Sequence, residues 1–148
     1  MIKKRVRFGE FDIPIPDGHE KVEDRDDTTE YLFIHAPREI YTVCFCSAMP
    51  PYDNGILKSF PAAGTLEIKL PDRRIVFFCP TGRGDRKDGL WYFNLEFEGD
   101  GGRLILPGQI MVNSDEVYRK TVGGRLPFME VLENISHISN DHSALAVV

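Results

Sequence analysis

The sequence predicts an α+β single domain, mainly an antiparallel β-sheet meander, with a C-terminal amphipathic helix packed on one face. Three observations carry this expectation. Apolar residues alternate in many short runs separated by turn residues, which is the two-residue period of strands. A helical period appears once, near the C-terminus. Helices do not alternate with strands, which sets aside doubly wound parallel folds. The 148 residues suit one domain, 1–148, long enough to build a core without a metal or disulfide.

The elements follow in order. Arg5–Phe8 and Phe11–Ile15 pair across Gly9-Glu10, where a first-position glycine suits a type II′ hairpin turn. Pro14 and Pro16 put the second segment at a sheet edge or a strand end. Asp17-Gly18 is a turn, and the acidic stretch after it fits a loop or a short polar helix. Glu30–His35 and Ile40–Ala48 are strands split by Ala36–Glu39, and the second, rich in β-branched and aromatic residues, reads as central. Met49–Gly64, with three prolines, reads as irregular.

A meander comes next. Thr65–Leu70 alternates, with Leu66, Ile68 and Leu70 on one face. Arg74–Cys79 is nearly all apolar, as in a strand buried on both faces. Leu90–Glu98 places Trp91, Phe93, Leu95 and Phe97 together, and Arg103–Val112 follows, broken at Pro107-Gly108. Phe128, Val131, Leu132 and Ile135 then share one helix face, with Pro127 as the first helical residue and His137 near the helix C-terminus. The tail 139–148 is expected to fray.

The opening Phe11-Asp12-Ile13-Pro14-Ile15-Pro16-Asp17-Gly18-His19-Glu20 resembles the start of domains in the superfamily of the photosystem II extrinsic subunit P. Those domains begin with an edge strand ending in a Pro-x-Gly-aromatic turn, continue as an antiparallel meander and finish with a helix. His19 stands where that pattern has Trp, and the helix expected after the second strand is faint in Pro51–Phe60. The resemblance implies a fold and a non-catalytic binding or assembly role.

Composition narrows function. Hydrophobic residues make up 42% and charged residues 28%, which excludes a disordered chain. The net charge is −5, and Asp17–Glu30 alone sums to −5. A chain without basic excess is a poor match for nucleic acid, whose binding rests on phosphate neutralisation. No apolar run is long enough to span a membrane. Three cysteines, an odd number, with no apolar run after the basic start, point to a cytoplasmic chain with reduced thiols.

No catalytic motif survives inspection. Cys79 precedes a glycine-rich loop, but a cysteine phosphatase needs Arg where Asp85 stands, so a buried thiol is the plainer reading. Gly82–Gly89 lacks the Gly-Lys-Ser/Thr of a Walker loop and precedes a strand, not a helix. An EF-hand starting at Asp24 fails at Thr29 and His35. Cys44, Cys46 and His35 lack a fourth zinc ligand. No cofactor or metal is expected.

Two functions remain. The first is a non-enzymatic protein-binding module that docks a basic partner on Glu23, Asp24, Asp26 and Asp27. The second is a small enzyme or small-ligand binder. There Arg83, Arg86 and Lys87 near the 80–89 loop receive an anion, and Cys79 or His35 acts as nucleophile or base. A homodimer through an edge strand or an aromatic face is a third arrangement.

Overall fold

The computed structural model describes residues 4–48, 65–78, 90–99, 102–112 and 128–138. They form ten strands in two antiparallel sheets, with one short α-helix and a 3-10 turn at Pro37–Glu39. The smaller sheet has the order β1-β2-β10, from Lys4–Phe8, Phe11–Ile15 and Ser136–His137. The larger, seven-stranded sheet has the order β3-β4-β5-β9-β8-β7-β6. Its strands are β3 (Glu20–Arg25), β4 (Glu30–His35), β5 (Tyr41–Cys46), β6 (Thr65–Leu70), β7 (Arg73–Phe78), β8 (Leu90–Gly99) and β9 (Gly102–Val112). Sequence reasoning expected one sheet. A second exists because β1 and β2 pair with each other and with β10, and with no strand of the larger sheet.

Alternate residues of most strands are buried in one shared core. Val6, Phe8, Phe11, Ile13 and Ile15 of the smaller sheet join one core with Ile34, Val43, Phe45, Ile75, Phe77, Phe93, Leu95 and Ile110 of the larger one. Aromatic contacts cross the interface, with Phe8 5.9 Å from Phe45 and Phe11 5.8 Å from Phe97. At these separations rings add attraction beyond their buried area. Trp91, Phe93, Leu95 and Phe97 do share the buried face, as their alternation predicts. Val76 is buried on the opposite face, so β7 is covered on both sides there, as its apolar run predicts.

The β9 strand is continuous through Pro107-Gly108, contrary to the expected break. Pro107 pairs with Asn94 of β8, while the β5 ladder along β9 ends at Cys44↔Gln109. The missing N–H of Pro107 therefore lies past the end of that ladder, where a sheet tolerates it. Gly108 has no side chain because the Phe93 ring occupies that space: a Cβ there would lie 2.3 Å from the ring. Pro14 is placed by the same logic. The β10 strand covers only Phe11 and Asp12 of β2, so Pro14 lies past its end.

The helix is shorter than its apolar period suggests. It spans Met129–Glu133, here α1, and Ile135 leaves it toward β10. His137 therefore lies on a strand, with Nε2 3.7 Å from the Glu10 carboxylate, and not at a helix C-terminus. Phe128 of this segment packs on Phe77 and Tyr41 at 5.7 and 6.1 Å, so it joins the shared core. Two arginines hold the end of α1. Arg73 Nη1 donates to the carbonyls of Leu132 at 3.0 Å and Ile135 at 2.6 Å, and Arg5 Nη2 donates to that of Asn134. Pro127, the tail 139–148 and Pro51–Phe60 lie outside the described residues.

Candidate functional site

The acidic stretch is neither loop nor helix for most of its length. It forms β3, the edge of the seven-stranded sheet, and the turn into β4. The sequence concealed this strand because Val22 is its one apolar residue and all six positions are exposed. Strand geometry then sorts the charges onto two faces. Register places Glu20, Val22 and Asp24 opposite His35, Phe33 and Tyr31, on the face turned away from the core. Lys21, Glu23 and Arg25 point to the core side, opposite Ile34, Leu32 and Glu30.

The four candidate acids therefore do not act as one face. Glu23 pairs with Lys21 at 3.3 Å. Asp24 lies on the outer face, its Oδ1 accepting the Arg25 amide at 2.8 Å. Asp26 builds the turn: Oδ1 accepts the amides of Thr28 and Thr29 at 2.9 and 2.8 Å. Those bonds favour the ionised form and hold its carboxyl below the ordinary carboxylate value. Asp27, at the hairpin tip, makes no hydrogen bond or ion pair among the described residues. Glu20 and Val22 were missed. Their signal was the alternation Glu20-x-Val22-x-Asp24, legible only once the segment is known to be a strand.

A furrow runs beside this edge. One cleft, of about 420 Å³, is lined by Arg7 and Phe8 of β1 and by Glu23, Asp24 and Arg25 of β3. A second, of about 570 Å³, is lined by Lys4, Arg5 and Ile15 with His19, Glu20 and Lys21. The two clefts follow β1 and β3 in step, one wall basic and the other mostly acidic. Among the described residues β3 pairs only with β4, and β1 only with β2. Both strands thus leave an edge open to the furrow.

The outer face of the larger sheet continues from Val22. Phe33, Cys44 and Gln109 follow it across β4, β5 and β9 in one row. Val22 is 41% exposed and Met111 37%, while Phe33, Cys44 and Cys46 are half-buried. The two cysteines do share a face, as their spacing predicts, but they are less buried than a core strand requires. Burial first, and Cys46 second, push the Cys44 thiol up to about 11.

His35 Nδ1 lies 2.9 Å from Thr42 Oγ1, and its ring stacks on Phe33 at 6.2 Å. It shares the outer face with Cys44 and Cys46, yet no cluster of three metal-ligating side chains occurs among the described residues. Cys79, Arg83, Arg86 and Lys87 lie outside the described residues. His19, where the resemblance expected Trp, bonds through Nε2 to the Tyr41 hydroxyl at 2.5 Å, with Nδ1 3.2 Å from the Asp17 carbonyl. A carbonyl oxygen only accepts, so Nδ1 is the donor to Asp17. Burial, then Glu130, pushes the Tyr41 phenol above its ordinary range.

Comparison of the chain with protein-family models, with curated proteins and with solved structures finds no match. No helix among the described residues is long and apolar enough to cross a membrane.

Proposed function

We propose that the chain is a non-enzymatic protein-binding module that docks a basic partner on the β3–β4 hairpin. The observation that carries this reading is an edge strand exposed at all six positions, inside the segment that holds the whole net negative charge. Of the four acids expected there, Asp24 and Asp27 are the ones free to meet a partner, and Glu20 joins them. Clustered charge of one sign steers association and fixes orientation. The resemblance to the photosystem II extrinsic subunit P superfamily implies the same class of role. No observation favours the enzyme reading, since its anion-binding residues lie outside the described residues and His35 is engaged with Thr42.

The test is fluorescence anisotropy with labelled Lys-rich, Glu-rich and neutral peptides of one length. The Lys-rich peptide is expected to bind, more weakly as salt rises, and to lose at least about tenfold in affinity for the double variant Asp24→Lys, Asp27→Lys. Equal binding by wild type and folded variant removes the hairpin as the docking site.

A further inference from the structure

We infer that the partner docks by strand addition: an extended segment with basic residues at alternate positions pairs with β3 and extends the seven-stranded sheet into the furrow beside β1. This inference rests on the docking function just proposed and specifies its mode.

The backbone supplies the first argument. Asp26 N donates to Thr29 O at 3.0 Å across the β3–β4 turn. Hydrogen-bonded and open pairs alternate along an antiparallel ladder from that point. Asp24, Val22 and Glu20 thus bond to β4, while the amides and carbonyls of Lys21, Glu23 and Arg25 point away from it. These groups meet no strand among the described residues, and the three residues line the furrow; the Arg25 amide is taken by Asp24 Oδ1, so the open amides are those of Lys21 and Glu23. An edge of this kind is a template for an added strand.

The side chains then set the sequence of the occupant. On the outer face an added strand lies beside Glu20, Val22 and Asp24. Cross-strand pairing selects Lys or Arg beside the two acids and an apolar residue beside Val22. That apolar residue prolongs the row Val22, Phe33, Cys44, and covers a valine that is otherwise 41% exposed. On the other face the occupant meets Lys21, Glu23 and Arg25 of β3, with Lys4, Arg5 and Arg7 across the furrow. A basic side chain is disfavoured there. The recognised pattern is basic–x–apolar–x–basic, with x uncharged.

Three peptides in identical neutral flanks test this: Lys-Thr-Val-Thr-Lys, the same composition as Thr-Lys-Val-Lys-Thr, and the first peptide N-methylated at both threonines. The first is expected to bind. The permuted and N-methylated peptides are each expected to bind at least about tenfold more weakly, since each loses cross-strand pairs or backbone hydrogen bonds. Lys21→Pro adds a protein-side test. Its amide points away from β4, so proline is tolerated there. Charge alone predicts tighter binding of basic peptides by this more acidic variant, whereas strand addition predicts loss.

If Lys21→Pro and N-methylation leave binding intact while Asp24→Lys removes it, docking is electrostatic and strand addition is wrong, with the broader function standing. If no basic peptide binds, both fall. A solution dimer with β3 amides protected from exchange assigns the edge to a second copy and overturns the inference. The N-methylated peptide keeps the test decisive even if a protein variant fails to fold.

Discussion

At the scale of single residues, spacing in the sequence named the acids but not their tasks. Asp26 stood among four docking acids and proves to be the organiser of the β3–β4 turn, through two backbone amides. Its folded carboxyl titrates below the ordinary value of 3.8. The stability this adds is therefore present above that value and is lost as pH falls through the lowered folded one. Asp26→Asn keeps an oxygen acceptor for both amides but cannot ionise. Wild type should melt above Asp26→Asn near neutrality, with the difference vanishing as pH falls below the carboxylate range. Asp27→Asn, which removes the same charge without those hydrogen bonds, is the control. A wild-type advantage that persists unchanged in acid, measured by thermal melts across pH, counts against this role.

At the scale of elements, the strands with one buried face were legible because their alternation is strong: β6, β8 and the β1–β2 hairpin fall where turn residues and period two put them. The acidic edge β3 was not legible, because both its faces are wet and a strand identity then rests on pairing alone. The helix was overextended for the opposite reason. Its apolar period runs to Ile135, but the chain turns after Glu133 so that Ser136 and His137 can pair with β2. A helix of five residues is too short to persist by itself. Arg73 compensates: its side chain is 8% exposed, donates to two carbonyls at the helix end and lies 4.7 Å from the centre of the Phe97 ring. Asp72 lies beside it, and hydrogen bonds from Arg73 hold that carboxyl below its usual range. Arg73→Met keeps the stem and removes the charged donors, so it should cost about 2–4 kcal/mol. Urea unfolding checks this, and a loss under about 0.5 kcal/mol would show that the helix end is held by other contacts.

At the scale of the molecule, two antiparallel sheets share one core, and stability should be graded from its centre outward. Strands β5, β9, β8 and β7 are flanked on both sides and carry Phe45, Phe77, Phe93, Leu95 and Ile110, all almost fully enclosed. Strand β3 has an open edge and no buried residue. Hydrogen exchange followed by NMR should therefore find the slowest amides in β8 and β9 and the fastest strand amides at Lys21 and Glu23. Slow exchange at those two positions in the free monomer would mean that the edge is already covered, and the docking surface would have to lie elsewhere.

The sequence by itself determined the antiparallel meander, the hairpins, the inward face of each amphipathic strand and the concentration of charge in one segment. These are local properties, set by turn chemistry and by which side of a strand is apolar. Strand order, the second sheet and the short reach of the helix were decided only by tertiary structure, because hydrogen bonds between distant segments leave no periodic mark on either. The same holds for the candidate site. Its acids could be read from composition, but the open edge and the furrow exist only because β1 and β3 come side by side as the edges of two different sheets.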